Sequence, residues 1–293
     1  MTASIDDVDV QFIVDSGMFY SMISAASAAR LKLKTSPIPF GFEVIGVHGA
    51  AEVSIATAKT FVLGGVPVHN VEFLVGGSEA GQGSIGLLGQ NVLHIGDAEY
   101  DLARGTVRLM MPQDCSKAML GYWAGPSTPY SVIDITSEPP LSGRTTGSLI
   151  PPQTLQLSRT IGNAYVNGAE IRVIFDTGAA TSILSLQAAA RAGIKPDSQG
   201  VVGAGMSYGI GRDTFPTYLA PISSFKIGTE EIKNTRIRIV TSPPAVVPLQ
   251  SLLRLNRPRS RAEWAQRPRM RPTTTAVAPR SHLAANMTRH FPP

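Results

Sequence analysis

The chain has 293 residues, enough for two lobes of roughly 100 to 150 residues, each with its own core. A net charge of +5 points toward nucleic acid only until the charge is located: nine arginines and a single acid, Glu263, lie between Arg254 and Pro293, so residues 1–253 carry −3. No apolar run reaches membrane-span length, and the lone Cys115 excludes an internal disulfide and a cysteine-based zinc site. The expectations are no specific nucleic-acid partner, no membrane span and a cytoplasmic default. The last follows from the lack of a signal-peptide pattern after Met1 and changes to periplasmic or secreted if an N-terminal leader is missing.

In chain order, the first element is a hairpin pattern that turns at Asp6-Asp7 and runs through an apolar strand, Val8 to Val14, into Asp15-Ser16-Gly17. Ser24 is placed to cap an alanine-rich helix from Ala25 to Leu31. Strands follow at Phe61 to Leu63 and Val71 to Val75. Ile85-Gly86-Leu87-Leu88-Gly89 then leads into a short helical segment, Gln90 to Leu93, and strand runs follow at Ala98 to Leu102 and Thr106 to Met110.

Residues 112–152 accumulate Pro, Gly, Ser and Thr and read as a linker with one strand candidate, Tyr130 to Ile135. An Asn167-Gly168 turn then precedes a second apolar strand, Glu170 to Phe175, which ends in Asp176-Thr177-Gly178. Ser185 caps a helix from Leu186 to Ala192 that Gly193 ends, and strands are expected at Phe225 to Ile227 and Arg236 to Val240. From Arg254 the chain is Arg- and Pro-rich without helical period, a composition that reads as a disordered tail.

The two acidic tripeptides belong to a repeat. At an offset of 161, Phe12-Ile13-Val14 lies over Val173-Ile174-Phe175, Ser21 and Ser24 over Ser182 and Ser185, and Ala28-Ala29-Arg30 over Ala189-Ala190-Arg191. Three further residues shift Phe61, Gly64 and Asn70 onto Phe225, Gly228 and Asn234. The pattern is a duplicated domain: a first lobe at 1–111, a linker at 112–152, a second lobe at 153–253 and a tail at 254–293. Mainly short strands with few helices place the fold in the all-β class.

A strand that ends in Asp and turns through Gly carries its carboxylate at the strand terminus, with room for the backbone to bend. Two such loops facing across a pseudo-dyad bring their carboxylates too close for both to ionise, so the pair holds one proton. Such a pair performs general acid/base hydrolysis: one member draws a proton from water while the other polarises an amide carbonyl.

These residues resemble the retropepsin-like and pepsin-like aspartic proteases, in particular bacterial two-lobed, retroviral-type forms. The resemblance covers roughly residues 3 to 110 and 155 to 240. It rests on the paired Asp-Ser/Thr-Gly motifs together with the later apolar-apolar-Gly of Leu87-Leu88-Gly89. It implies two pseudo-symmetric β-barrel lobes and an aspartic endopeptidase acting on peptide or protein substrates, with no metal or organic cofactor. Asp15 and Asp176 would form the catalytic dyad, the Ser16 and Thr177 hydroxyls would cross-brace the loops, and Gly17 and Gly178 would shape them. Leu87, Leu88 and Gly89 would buttress the first loop from behind. Flaps would fall around Gly46 to Gly49 and Gly203 to Gly211.

Two departures from the family pattern bear on activity. Met18 stands after the first glycine where the second lobe has Ala179, and narrows the approach to the site. Leu87-Leu88-Gly89 falls on Leu252-Leu253-Arg254, where arginine replaces the buttress glycine, and no counterpart of the strands at Ala98 to Met110 follows. The second lobe therefore reads as incomplete. That opens an alternative, an inactive or truncated relative acting at most as a peptide-binding module, and an expectation of self-association through the unfinished lobe. A third arrangement has the intact lobe pairing with another chain.

Gly205-Met206-Ser207-Tyr208-Gly209 matches the Gly-x-Ser-x-Gly nucleophile elbow, with Asp213 and His282 or His290 downstream. The elbow needs a helix directly after the serine, and the glycines and prolines of residues 210–221 forbid one, so a turn or flap is expected there. His48, His69 and His94 have no helical zinc spacing and read as surface or loop histidines. Cys115 has no partner histidine nearby and reads as a bystander. Tyr122, Trp123 and Tyr130 are expected to anchor the linker onto a lobe.

Overall fold

The β1 strand (Thr2–Ile5) turns into β2 (Val8–Val14) through Asp6 and Asp7, both at positive φ, with Ile5 paired to Val8. Alternation along β2 sends Val10 and Phe12 inward and leaves Asp9 and Gln11 exposed. The first lobe continues with β3 (Met22–Ile23), α1 (Ala25–Arg30), β4 (Thr35–Pro37) and the small hairpin of β5 (Val44–Gly46) and β6 (Gly49–Ala51). The long antiparallel pair β7 (Val53–Leu63) and β8 (Val66–Gly76) follows, then β9 (Gly86–Leu88) and α2 (Gln90–Leu93). This computed structural model describes residues 1–38, 44–46, 48–77, 81, 83–93, 96–101, 104–110, 122, 130–138, 159–241 and 250–253. Cys115, Trp123, His94, His282, His290 and the 254–293 tail lie outside the described residues.

The hairpin of β10 (Asp97–Asp101) and β11 (Thr106–Met110) comes next, and β12 (Ile135–Glu138) leads into the second lobe. That lobe contains β13 (Arg159–Val166), β14 (Ala169–Phe175), β15 (Ile183–Ser185), α3 (Leu186–Arg191), β16 (Val202–Ser207), β17 (Phe215–Ile227), β18 (Glu230–Val240) and β19 (Gln250–Leu253). The strand expected over Tyr130 to Ile135 begins only at Ile135, where the chain finds a ladder partner in Gly162. Before that point, Ser131 and Ile133 are buried as anchors, with the Ser131 hydroxyl accepting from the Thr229 N–H at 2.8 Å.

Both lobes close in the same way. The first has strand order β1-β2-β9-β3-β8-β7, closed by β1 on β7, with β4 appended to β7. The second repeats it as β13-β14-β19-β15-β18-β17, closed by β13 on β17, with β16 and β12 at its ends. Matching turn chemistry supports the match: Asn167 and Gly168 have positive φ like Asp6 and Asp7, and Asn70 and Asn234 share φ near 50°. Both helices start at capping serines, Ser24 accepting from the Ser27 N–H and Ser185 from the Ala188 N–H.

One unexpected element is β19. Its parallel register on β14, Ile174 with Leu252 and Phe175 with Leu253, reproduces that of β9 on β2, Ile13 with Leu87 and Val14 with Leu88. Replacing the buttress glycine by Arg254 therefore does not remove the strand that precedes it, because backbone pairing needs only an extended segment beside β14.

The cores differ in composition. Phe12 and Phe73 stack at 5.8 Å in the first lobe while Phe61 meets both edge-on, a cluster in which each buried ring contributes on the order of 1.5–3 kcal/mol. The second core is aliphatic around Ile171, Val173, Leu184, Ile237 and Ile239, with Phe175 beneath. Although β10 and β11 follow the first lobe in sequence, Ala98 and Tyr100 belong to the second core, and Leu109 packs against both. Among the described residues the second lobe has no such hairpin after β19, and this one covers part of its core instead.

Candidate active site

Strands β2 and β14 end side by side, and the loops that leave them bind each other reciprocally. The Ser16 N–H donates to Thr177 Oγ1 and the Thr177 N–H to Ser16 Oγ, both at 3.1 Å. Each hydroxyl then donates onward to the strand end of the opposite lobe, Ser16 Oγ to the Phe175 carbonyl at 2.8 Å and Thr177 Oγ1 to the Val14 carbonyl at 2.7 Å. Both hydroxyls are thus donor and acceptor at once, which only Ser or Thr can supply at these positions.

The carboxylates sit where that brace puts them. Asp15 Oδ1 accepts from the Gly17 and Met18 N–H groups at 2.9 and 3.1 Å, and Asp176 Oδ1 from Gly178 and Ala179 at 2.8 and 2.9 Å. Each acid also crosses to the opposite loop. A methyl group at Gly17 would stand 2.6 Å from Asp176 Cγ, and one at Gly178 would stand 2.5 Å from Asp15 Cγ. The glycines are required by this close approach.

Asp15 and Asp176 are 7% and 8% exposed and hydrogen-bond to each other. Burial, then the charge of Asp176, then that shared hydrogen bond hold the Asp15 carboxyl well above the ordinary range, against the opposing pull of the Gly17 and Met18 N–H groups. The pair therefore holds a proton at a pH where a free carboxylic acid has lost it. Tyr100 lies buried nearby, its phenol pushed up by burial and by the Asp15 charge.

The sequence profile described as aspartyl protease matches residues 1–92 and 162–256, more than half of the chain and both loops. The chain belongs to the aspartyl protease family. None of the curated proteins compared matches it. Among solved structures, a retropepsin-like aspartic protease from Rickettsia conorii aligns at 23% identity with a TM-score of 0.27, covering 32% of this chain and 72% of its own. EIAV protease complexed with the inhibitor HBY-793 aligns at 21% with a TM-score of 0.27, covering 32% and 82%. Superpositions this partial add no weight to the family match.

Behind the first family loop, β9 and α2 form a dense network. Asp15 N–H donates to the Leu88 carbonyl at 2.9 Å, Gly89 N–H to Ser21 Oγ at 3.0 Å, and Gln90 Nε2 to the Ser16 carbonyl at 2.8 Å. Asn91 Oδ1 accepts from both the backbone and the hydroxyl of Ser21. A side chain at Gly89 would meet the Tyr20 carbonyl carbon at 2.8 Å. Leu88 is fully buried in the first core, while Leu87 is only half-buried. Met18 and Tyr20 lie against a small apolar cluster of Met22, Ile55 and Leu74.

The segments where the resemblance places flaps belong to two antiparallel hairpins, β5–β6 in the first lobe and β16–β17 in the second. Ser207 ends β16, but the chain after it runs into β17 with no helix between, so the nucleophile-elbow reading fails on backbone geometry. His69 lies on β8 beside Thr60, as an exposed histidine should. Of the surface or loop expectation, His48 keeps the loop, between β5 and β6, but not the surface: it is 3% exposed and bonded to Ser207 of the other lobe. Nothing local in the sequence marks that burial, since its partner Ser207 is 159 residues away. Tyr122 anchors as expected, donating its hydroxyl to Glu99, which also pairs with Arg108. Among the described residues, no group of three or more His, Cys, Asp or Glu is arranged to hold a metal ion.

Proposed function

We infer that this chain is an aspartic endopeptidase in which Asp15 and Asp176 together hydrolyse peptide bonds. The observation that carries the reading is the buried, mutually hydrogen-bonded carboxyl pair held by a reciprocal Ser16–Thr177 brace, with family membership spanning both halves. One carboxyl of the pair carries a proton and donates a hydrogen bond to the scissile carbonyl oxygen. The other, ionised, takes a proton from the attacking water as its oxygen bonds to the carbonyl carbon. The tetrahedral intermediate collapses when a proton reaches the amide nitrogen and the C–N bond breaks, which returns the pair to its single shared proton.

The test is cleavage of an extended peptide library from acid to neutral pH by the chain and by Asp15→Asn and Asp176→Asn. Each substitution should lower kcat/KM by roughly 100-fold to 10,000-fold, with the fold retained by circular dichroism. Cleavage that persists in both variants overturns the dyad. A folded but uniformly inactive set favours the inactive, peptide-binding relative, for which the glycine-to-arginine exchange at Arg254 is the supporting observation.

A further inference from the structure

The two flaps meet at one residue. The His48 ring has Nε2 2.9 Å from Ser207 Oγ and stacks on Phe215 with centroids 5.7 Å apart and planes 23° apart. Its backbone is engaged as well: His48 N–H donates to the Ile210 carbonyl at 3.2 Å, its carbonyl accepts from the Asp213 N–H at 2.9 Å, and it bridges to Gly211. Three glycines make the approach feasible. Side chains at Gly46, Gly209 or Gly211 would collide with Ile210 O, His48 Nδ1 or His48 O at 2.0, 2.5 and 2.1 Å.

The place of this contact in the repeat gives it meaning. The offsets of 161 before it and 164 after it match His48 to the segment from Gly209 to Arg212, and His48 touches that segment at Gly209, Ile210 and Gly211. Residues related by a pseudo-dyad touch only where the axis passes, so the flap contact and the carboxyl pair lie on one axis. From the same contact Ile210 reaches the apolar cluster against which Met18 and Tyr20 pack. The flap of the second lobe is thereby tied to the chain that leaves the Asp15 loop.

We propose that His48 latches the two flaps together across the cleft, and that acidification opens the latch. With neutral His48, one ring nitrogen bonds Ser207, and Nδ1 is buried without a hydrogen-bond partner. Protonation puts an N–H on both nitrogens, so the closed flaps then bury a cationic donor that has no acceptor. Across the contact, Asp213 faces His48 and favours the cation, while the adjacent Arg212 is paired with Glu52 of the first lobe. Strands β5 and β6 contribute no titratable residue. Burial outweighs both the Asp213 charge and a hydrogen bond to the Ser207 backbone, which favour the cation, and lowers His48 from its ordinary value.

The sign follows from linkage. The closed state binds the proton more weakly than the open state, so closure is fully favoured above the open-state value, about pH 6.5, and weakens as pH falls below it. The role of the latch in turnover rests on the protease reading, but flap opening itself does not. Opening on acidification would admit an extended peptide over a carboxyl pair that holds its single proton.

Hydrogen–deuterium exchange of the full chain at about pH 7.5 and about pH 5.5, corrected for intrinsic exchange, tests the latch on either side of the ordinary histidine value. Peptides covering His48 and Ser207 to Asp213 should exchange faster at the acid pH, by up to about tenfold, the ceiling set by working about one pH unit below the ordinary histidine value. His48→Gln should abolish that pH step. Ser207→Ala, at a half-buried strand end, should raise exchange at the neutral pH toward the acid level. Equal protection at both pH values in the unmodified chain, or an unchanged step in His48→Gln, overturns the proposal. Peptide cleavage on the same samples separates the two readings: a pH step without cleavage at any pH sustains the latch and defeats the protease, and cleavage without a step does the reverse.

Discussion

The two lobes present nearly the same loop from unequal surroundings. Asp15 and Asp176 each accept two backbone N–H bonds from their own loop and each press on the glycine of the other. Behind Asp15 stand Gly89, Gln90 and the Ser21–Asn91 pair. Behind Asp176 runs β19, in the same register as β9, with arginine next in sequence. The difference teaches that the site's symmetry is enforced at the interface between lobes, where each loop is the other's scaffold. Backing within a lobe can then diverge while the front stays matched.

The strongest break of that comparison is at its front. Gly17→Ala and Gly178→Ala each drive a methyl group into the opposite carboxyl, and each should lower kcat/KM by roughly 100-fold or more, on the scale of losing a positioned acid or base. Near-equal losses in the two lobes, in peptide-cleavage assays with folding checked by circular dichroism, would confirm an interface-enforced pair. A loss in one lobe alone would refute it.

Next comes the brace. Ser16→Ala and Thr177→Ala each remove a donor and an acceptor from a part-buried network and should cost about 1–3 kcal/mol in urea unfolding. The double variant should cost less than the sum of the singles, because each single already disables the shared bonds. Strict additivity would mean that the loops are held independently.

Gly89→Ala sharpens the asymmetry. Its methyl group meets Tyr20 backbone at 2.8 Å, and forcing room in a packed site costs typically 1–3 kcal/mol. Unfolding midpoints should fall, and amides of the Asp15 loop should exchange faster than those of the Asp176 loop. Equal acceleration in both loops would show that the backing of one lobe supports both.

The smallest expected effect is in pH dependence. Because Asp15 is raised, the folded state holds a proton that the unfolded chain has released, so the contribution is present in acid and is lost as pH rises through the raised value. Asp15→Asn should therefore gain thermal stability over the unmodified chain at neutral pH and lose that advantage in acid. A constant difference across pH would mean that Asp15 titrates normally.

Most local elements were legible in the residues. Val8 to Val14, the caps at Ser24 and Ser185, the Asn167-Gly168 turn and the short helix at Gln90 to Leu93 follow from alternation, capping chemistry and turn preference, all of them local. The repeat of Asp-Ser/Thr-Gly with matched flanks selected the candidate site for the same reason. The Ser131 and Ile133 anchors, the packing of Tyr100 into the second core and the burial of His48 were not legible, since each depends on a partner far away in sequence.

By itself, the sequence determined a duplicated all-β chain with one acidic loop per repeat, because strand period, turn residues and caps act over a few neighbours. Tertiary structure alone decided that the hydroxyls of Ser16 and Thr177 exchange lobes, that β19 pairs where a buttress glycine is absent, and that His48 lies between the flaps. Those outcomes depend on which surfaces meet across the pseudo-dyad, and long-range pairing of that kind leaves no local period to read.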